Sequence, residues 1–394
     1  MGNIILKPGR EKSVLRRHPW IFSGAIQRVD EATASGATVD VLSSKGEFLA
    51  RGAYSPQSQI RVRVWTFEDE TVDEEFFRKQ IRAALDLRNS LFDPEDTNAI
   101  RLIYAESDGI PGLIVDRYDD ILVLQSLAAG SEYWKETIAD VLLEETGLKN
   151  IYERSDADVR ELEGLTSKTG FIRGTAPESR IIITEYGLRF LVDVEHGHKT
   201  GLYLDQRANR QRVRTFAKGK DVLDCFCYTG GFTLNALAGN AKSVLSVEAS
   251  SEALTLACQN IELNKLSLAK AQFLEGDVFQ VLRKFRDEGR SFDMIILDPP
   301  KFAPTAAQAE KAARGYKDIN LLAFKLLRSN GTLVTFSCSG GVDAGLFQKI
   351  VASAALDAEV DAQIIEQLSQ DTDHPIALNF PEGRYLKGLI CLRK

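Results

Sequence analysis

The stretch DVLDCFCYTGGFTLNALAGNAKSVLSVE, residues 221–248, decides the fold, because it holds a buried strand, a glycine turn, a helix and a second strand. Its first apolar run ends before Gly230 and Gly231, which permit a tight bend into the helix. A second apolar run ends at Glu248. This order predicts two parallel strands joined by a crossover helix.

The same alternation continues toward the C-terminus. Helical patterns follow the first five apolar runs, which predicts a doubly wound, mostly parallel sheet. The expected fold class is therefore α/β, with a Rossmann-like domain over residues 188–394. The runs predicted as strands are DVLDCF, SVLSVE, AQFLEGD, FDMIILD, GTLVTFSC, AQIIEQ and YLKGLICLR.

The N-terminal half has two further patterns. Residues 1–70 consist of short alternating runs between Gly, Pro and Ser turns, which predicts a small β-rich domain of a shape common among RNA-reading modules. Residues 71–187 begin with a helical period and continue with the strand patterns RLIYAES, GLIVDRY and ILVLQSL and the helical pattern EYWKETIADVLLEETG. This second range predicts a central α+β domain.

Composition limits the class of protein. The 394 residues include no apolar run long enough for a membrane span and no signal-peptide pattern at the start, so we expect a cytoplasmic protein without a membrane partner. Five cysteines at irregular spacing predict free thiols rather than disulfides or a zinc site. The pair His196 and His198 has no further His or Cys nearby, so no metal is expected.

Two basic clusters stand out in a chain whose net charge is −7. Residues 1–28 carry six basic residues against one acidic residue, a net charge of +5, and include Arg16 and Arg17. Residues 199–220 carry seven against one, a net charge of +6. A solvated helix face would explain either cluster alone, but two of them favour an anionic partner such as RNA, with Arg16 and Arg17 as substrate-binding candidates.

Acidic residues mark a cofactor site at successive strand ends. Ligands of such sheets bind beyond the carboxyl ends of the strands, and the turn after the first strand lacks the G-x-G-x-x-G of a dinucleotide site. An acid at the second strand end suits ribose hydroxyls, and one at the third suits an exocyclic amine. Any one of these acids could be only a helix cap, but four in order predict S-adenosylmethionine, a cationic nucleoside without phosphates. The cofactor candidates are Asp224, Phe226, Tyr228, Gly230, Phe232, Glu248, Asp277 and Asp298.

The fourth and fifth strand ends carry the predicted chemistry. Asp298 opens the loop DPPKF, whose prolines stiffen it so that Asp298, Lys301 and Phe302 face the reacting groups. Cys338 lies in SCSG at the next strand end. Carbon 5 of a pyrimidine becomes nucleophilic only after addition at carbon 6, for which a thiolate is well suited. Cys338 and Asp298 are thus the catalytic candidates, whereas Cys225, Cys227, Cys258 and Cys391 are predicted to pack in the core.

Longer blocks resemble one family along essentially the whole chain. HPWIFSGAI, ESDGIPGLIVDRY, YERSDADVRELEGL, GLYLDQR, DCFCYTGGF, DPPKF and SCS occur in this order. They are similar to motifs of the bacterial 23S ribosomal RNA 5-methylcytosine methyltransferases of the RlmI type, which have an N-terminal PUA domain.

This resemblance implies several further expectations. Tyr203, Asp205 and Arg207 would help to hold the amino-acid end of the cofactor, and Cys338 would be the nucleophile. The partner would be 23S ribosomal RNA, met before full subunit assembly because the cytosine must be flipped out of its stack. A homodimer is also typical of the family. Lys301 occupies the place where many RNA cytosine methyltransferases have a second cysteine, so the base that removes the carbon 5 proton stays unassigned.

Two alternatives remain open. Ribosomal methyltransferases that modify a guanine amino group share FCYTGGF and DPP motifs, but their chemistry needs no thiol. A non-catalytic RNA-binding assembly factor would need only the N-terminal module and the basic clusters. The four acids at the strand ends disfavour the second alternative.

Overall fold

The chain folds into two compact units. The structure, a computed structural model, describes residues 2–30, 33–175, 180–302 and 309–394. The first unit comprises Met1–Glu185, Val192–Leu204 and Thr372–Gly383, and the second comprises Tyr186–Leu191, Asp205–Asp371 and Arg384–Lys394. The domain ranges 1–70, 71–187 and 188–394 stay a prediction.

A six-stranded sheet occupies the N-terminal part of the first unit, which confirms the predicted β-rich domain. Its strand order is β2-β6-β5-β4-β1-β3, with β1 and β4 parallel and the other neighbours antiparallel. Alternate residues such as Ile4 and Leu6, or Val39 and Val41, point into one core because side chains alternate along a strand. The elements are β1 (Gly2–Leu6), α1 (Lys12–Leu15), β2 (Trp20–Phe22), β3 (Ile26–Val29), β4 (Thr38–Leu42), β5 (Phe48–Tyr54) and β6 (Ile60–Thr66).

A five-stranded sheet and its helices form the central part of the first unit. The helix predicted after Thr71 begins once the Asp73 carboxylate accepts the Phe76 N–H, and it buries Phe77 and Ile81 at helical spacing. The helix predicted over EYWKETIADVLLEETG is present from Lys135 to Thr146, whereas Glu132 and Tyr133 belong to a separate short helix that ends before Trp134. The sheet order is β11-β10-β9-β8-β7. The elements are α2 (Glu74–Leu91), β7 (Ala99–Tyr104), β8 (Leu113–Tyr118), β9 (Ile121–Ser126), α3 (Ala129–Tyr133), α4 (Lys135–Thr146), β10 (Asn150–Ser155), β11 (Lys168–Arg173) and β12 (Ile181–Glu185).

The second unit is the predicted doubly wound α/β sheet. Strands β14 to β18 are parallel, β20 is antiparallel to β18 and β19, and the order is β16-β15-β14-β17-β18-β20-β19. All seven predicted strands are present. The elements, after β13 (Leu188–Val192), are α5 (Arg207–Phe216), β14 (Asp221–Cys225), α6 (Gly231–Ala238), β15 (Ser243–Glu248), α7 (Ser251–Leu263), β16 (Ala271–Glu275), α8 (Val278–Asp287), β17 (Phe292–Leu297), α9 (Ala309–Leu326), β18 (Leu327–Ser337), α10 (Ala344–Asp357), β19 (Ala362–Ser369) and β20 (Lys387–Arg393).

None of the helices in the described ranges is long and apolar enough to cross a membrane. The strands of the second unit are instead covered by helices that pack on them. One buried cluster, for example, joins Leu223 and Ile295 of the sheet to Tyr316 of α9 and Phe347 of α10. Parallel sheets need such cover because both of their faces are apolar.

A buried ion pair fixes the central sheet of the first unit. Arg101 of β7 donates to both carboxylate oxygens of Asp116 of β8, each at 2.7 Å. The Thr200 hydroxyl donates to the same carboxylate at 2.6 Å. Asp116 is fully buried. The pair therefore links two strands to the segment Val192–Leu204 of the same unit.

We predict that Asp116→Ala lowers the free energy of unfolding of the first unit by about 3–5 kcal/mol, because it leaves the Arg101 guanidinium buried without its carboxylate. Urea unfolding followed by tryptophan fluorescence measures this, since the three tryptophans, Trp20, Trp65 and Trp134, all lie in the first unit. The matched control is Glu68→Ala, which removes the exposed partner of Arg17 and should cost less than about 1 kcal/mol. Equal losses in the two variants would contradict the prediction.

Candidate active site

The strand order reverses direction beside β14, and this places the candidate site. Strand β14 pairs with β15 on one side and with β17 on the other. Because β14 to β18 are parallel, their carboxyl ends share one edge of the sheet, and ligands bind at such a reversal. Asp224, Glu248, Asp277, Asp298 and Cys338 lie at or just beyond these five carboxyl ends, in the predicted order.

The turn after β14 has an unusual backbone. Phe226, Tyr228 and Gly230 have φ angles of 62°, 48° and 78°, and left-handed conformations of this kind recur at ligand sites. A Cβ on Gly230 would lie 2.8 Å from the Cβ of Ala257, so only glycine fits there. The turn is held by the N–H groups of Phe226 and Cys227, which donate to the Val247 carbonyl at 2.9 and 3.2 Å. The chain therefore leaves the sheet in a tight turn directly after β14.

Asp224 is a buried carboxylate with one unused oxygen. Its Oδ2 accepts the Thr233 hydroxyl at 2.7 Å, and that hydroxyl in turn accepts from Ser246 at 2.7 Å. Its Oδ1 is buried and has no hydrogen-bond partner among the described residues. Burial raises the pKa of Asp224 to about 7, against the lowering effect of the Thr233 hydrogen bonds. A buried carboxylate with an open acceptor fits a cationic group such as that of S-adenosylmethionine.

Glu248 and Asp277 differ in what they already bind. Glu248 Oε2 accepts the Tyr228 N–H at 3.0 Å, and its Oε1 accepts the N–H groups of Ala249 and Ser250 at 2.8 and 3.2 Å. Two carboxylate oxygens offer about four acceptor positions, so room for a ribose hydroxyl remains. Asp277 is exposed and caps α8 by accepting the Gln280 N–H at 2.9 Å. Asp277 therefore serves as the N-cap of α8, the function that any single acid at a strand end could have.

An aromatic row lines the same part of the sheet. The Phe226 and Phe279 rings lie 6.5 Å apart, Phe279 and Phe302 5.8 Å, and Phe302 and Tyr316 4.7 Å. Phe302 is half-buried and Lys301 is exposed, while residues 303–308 lie outside the described ranges. Phe279 was not among the predicted site residues, because a phenylalanine inside an apolar helical period carries no separate signal.

Cys338 differs from the other thiols in its surroundings. It is half-buried and directly follows β18, whereas Cys225, Cys227 and Cys391 are buried. Burial raises the pKa of Cys225 and Cys227 well above the usual value and that of Cys391 to about 12. The pKa of Cys258 in α7 is also raised, mainly by desolvation. Burial thus favours the neutral thiol at these four cysteines.

One detail of the cysteine prediction is wrong. Because Cys225 and Cys227 flank Phe226, strand alternation predicts that both point to one face of the first strand. In the structure β14 ends at Cys225, and Cys227 lies in the turn. The left-handed conformation of Phe226 between them breaks the strand alternation. Both side chains are buried all the same.

The segment 203–207 contributes partners to both units. Tyr203, in the first unit, lies below the Lys199 ammonium, 4.6 Å from its ring centre. In the second unit the Asp205 carboxylate accepts the Tyr385 hydroxyl, and Arg207 donates to Asp371 at 3.0 Å. Asp205 and Arg207 are buried. Tyr385 and Asp371 had no motif that could have identified them, because they are distant in sequence.

The second basic cluster is not the surface that its charge suggested. Arg207 and Arg210 are buried, and Arg210 packs over the Phe190 ring. Arg212 pairs with Glu366 at 2.6 Å, and Arg214 donates to the Tyr186 carbonyl. These cations therefore hold α5 in the second unit. The prediction that residues 199–220 form a second anion-binding patch is wrong for these four arginines.

The first basic cluster is exposed. Arg16 and Arg17 are both exposed in the first unit. Arg17 pairs with the exposed Glu68 at 2.7 Å, a contact that is weak in water and easily exchanged for a phosphate.

His196 and His198 each lie near a polar side chain. The His196 ring lies 3.4 Å from the Asp193 carboxylate, and the His198 ring 3.3 Å from the Tyr203 hydroxyl. Within the described ranges, no three His, Cys, Asp or Glu side chains are grouped so that they could hold a metal ion.

Comparison with solved structures shows the same fold. A protein described as a SAM-dependent methyltransferase, from Streptococcus mutans, superimposes with a TM-score of 0.86 at 20% identity, with all of both chains covered. A methyltransferase crystallised with SAH gives a TM-score of 0.87 at 21% identity, also over both whole chains.

Sequence comparison shows the family. A family model described as a PUA-like domain matches residues 4–67, and one described as an S-adenosylmethionine-dependent methyltransferase matches residues 166–373. Proteins named ribosomal RNA large subunit methyltransferase I, from Aliivibrio fischeri and Yersinia pseudotuberculosis, are each 52% identical to this chain. The first match covers 99% of this chain and 98% of the relative, and the second 98% of each. The chain therefore belongs to the family of the ribosomal RNA large subunit methyltransferases I and is an S-adenosylmethionine-dependent methyltransferase with an N-terminal PUA-like domain.

Proposed function

We propose that this chain methylates carbon 5 of a cytosine in 23S ribosomal RNA through a covalent bond between Cys338 and carbon 6. The observation that carries the proposal is the position of a half-buried thiol at the carboxyl end of β18, beside the Asp298 loop that follows the paired strand β17. The name of the curated relatives supports ribosomal RNA of the large subunit as the substrate. Such a reaction takes place in the cytoplasm.

Most of the residues proposed to bind the cofactor lie at the carboxyl ends of the parallel strands. S-adenosylmethionine, when bound, supplies the methyl group. Asp224 would attract its cationic part through the open Oδ1, and Glu248 would accept its ribose hydroxyls. Phe226, Tyr228, Gly230 and Phe232 shape the turn around it, and Asp277 would accept the adenine amine. Tyr203, Asp205 and Arg207 are proposed to hold the amino-acid end.

The chemical steps need one nucleophile and one hydrogen-bonding acid. The Cys338 thiolate adds to carbon 6, and the electron pair of the 5,6 double bond moves onto the ring, which makes carbon 5 nucleophilic. Asp298 would hydrogen-bond the N3 or amino edge of the base and hold the covalent adduct in place. After carbon 5 has taken the methyl group, it loses its proton to a base, the double bond forms again, and the thiolate leaves.

RNA recognition is proposed to begin in the N-terminal part. Exposed Arg16 and Arg17 carry positive charge without burial, which is what phosphate contacts require. Lys301 and Phe302, next to Asp298, would contact the target nucleotide. Because flipping a paired base costs a few kcal/mol, loosely folded 23S RNA is a better substrate than an assembled subunit. The proposal includes a homodimer, the state typical of the family resembled.

Transfer to a guanine amino group is the second candidate reaction, since the DPP loop serves such enzymes too. It requires no thiol at the end of β18. A non-catalytic assembly factor is the third candidate, and it requires neither Asp224 nor Cys338. Removing each side chain separately therefore distinguishes the three functions.

We predict that wild-type protein, labelled S-adenosylmethionine and unmodified 23S RNA yield 5-methylcytidine, and that Cys338→Ala abolishes the product. The reason is that carbon 5 stays unreactive without addition at carbon 6. Nucleoside mass spectrometry measures the product. Cys258→Ala is the matched control, because it removes the half-buried thiol of α7 and should leave activity unchanged. Label on guanine, or full activity of Cys338→Ala, would overturn the proposed mechanism.

A second prediction concerns Asp224→Asn. The Asp224 carboxyl ionises near pH 7 in the folded protein but near pH 3.9 in an unfolded chain. The folded state thus holds this proton more tightly, so the contribution of Asp224 to stability is full below about pH 4 and is lost as pH rises toward 7. Asparagine cannot lose a proton. We therefore expect the melting temperature of Asp224→Asn, relative to wild type, to rise between pH 5 and pH 8.

The same variant should bind S-adenosylmethionine more weakly, because the amide has no negative charge for the cationic ligand. Isothermal titration calorimetry measures the affinity, and circular dichroism follows the melting. A difference in melting temperature that does not change with pH would show that burial does not hold the proton on Asp224. Unchanged affinity would remove Asp224 from the proposed cofactor site.

A further inference from the structure

Lys387 occupies the same edge of the sheet as Cys338. It is the first residue of β20, where it lies opposite Ser337, the last residue of β18. It also lies opposite Ser369, the last residue of β19. Cys338 directly follows Ser337. The antiparallel return of β20 therefore brings a lysine beside the strand end that carries the thiol.

The Lys387 ammonium is buried without an ion-pair partner. Its Nζ donates to the carbonyl oxygens of Ser339 and Tyr385 at 2.8 and 2.7 Å, and the residue is 7% exposed. Across residues 2–30, 33–175, 180–302 and 309–394, no carboxylate is recorded within 4.0 Å of it. An ammonium can donate three hydrogen bonds, and buried lysines are rare unless paired. Hydrogen bonds to two neutral carbonyl oxygens do not offset the free-energy cost of burying a charged ammonium.

The charged surroundings of Lys387 are mixed. Burial lowers the pKa of Lys387 to about 8, while Cys338 and Asp343 act in the opposite direction. Lys301 and Arg384 lower it further. The amine is therefore able to gain and lose a proton near pH 8, and the Cys338 thiol is the largest electrostatic influence that favours its charged form.

We propose that Lys387 is a positioning residue that takes the proton of the Cys338 thiol and then holds the thiolate as an ammonium–thiolate pair. The S–H bond breaks, its electron pair stays on sulfur, and the proton binds the lone pair of the neutral amine, so no further reactant is needed. This inference rests on the proposed function, because it supplies the thiolate that adds to carbon 6.

A second lysine shows why the neighbour matters and provides the control. Lys220, just before β14, is half-buried, and burial lowers its pKa as well. Its Nζ donates to the Thr332 hydroxyl at 2.8 Å, and Asp293 is the charge that acts on it. It is close to the amino ends of the strands, away from the thiol. A buried lysine alone therefore does not make a partner for Cys338.

The test is the pH dependence of Cys338 alkylation by iodoacetamide, followed by peptide mass spectrometry, which needs neither RNA nor cofactor. In Lys387→Met we expect the midpoint to rise by about one pH unit or more, which slows alkylation at pH 7 about tenfold. Lys387→Gln should do the same while keeping N–H donors for the two carbonyls, so it tests the idea even where the methionine variant is unstable. Lys387→Arg keeps the charge and should restore most of the reactivity. Lys220→Met should follow the wild-type profile.

An unchanged alkylation profile in folded Lys387→Met and Lys387→Gln would refute the ion pair. If 5-methylcytidine formation still depended on Cys338, only this inference would fail. If instead the profile shifted but the methyl group were found on guanine, the ion pair would stand and the proposed function would fall. The methylation rate of Lys387→Gln should also peak at higher pH than that of wild type, which a purely structural lysine would not cause.

Discussion

The parallel pairing of β14 with both β15 and β17 is the constraint on which the second unit depends. It fixes five carboxyl ends at one edge, so that residues far apart in sequence, such as Asp224 and Cys338, lie at the same side of the sheet. The sheet needs helices on both faces, because its inner parallel strands β14, β15 and β17 are largely buried. The free energy gained when the helices pack on the sheet thereby offsets the cost of polar and strained groups at this edge.

That edge carries an electrostatic cost. Asp224 is held in a place where burial favours the neutral acid, and Lys387 in a place where burial favours the neutral amine. Left-handed backbone at Phe226 and Tyr228 adds strain to the same region. A ligand that supplies positive charge beside Asp224, or a thiolate beside Lys387, would relieve each cost. Groups that cost free energy in the folded protein would thus be the ones that favour the proposed bound and reacting states.

The fold was predictable from sequence where the signal is local. Strand and helix periods predicted all seven strands of the second unit and helix α2, and acids at strand ends follow directly from such strands. What depends on distant contacts was missed. The division of α3 from α4 at Trp134 carries no Gly or Pro, and the burial of Arg207 and Arg210 reverses what their charge suggests. Nothing in the sequence distinguishes Lys387 from the other lysines, and only the antiparallel pairing of β20 with β18 places it beside the end of β18.

The five cysteines show how the structure distinguishes residues that the sequence presents as equals. Cys225 precedes the same edge of the sheet as Cys338, yet Cys225 is surrounded by apolar core and lies next to the Asp224 carboxyl, and both raise its pKa. Cys338 is half-buried, and it interacts electrostatically with Lys387. A thiolate is stabilised by a cation and by access to water, and it is opposed by burial and by negative charge. If Lys387 pairs with the thiolate as proposed, the charge supplied by the neighbouring strand sets reactivity at this edge, and β20, a strand without any motif, then bears on the chemistry of β18.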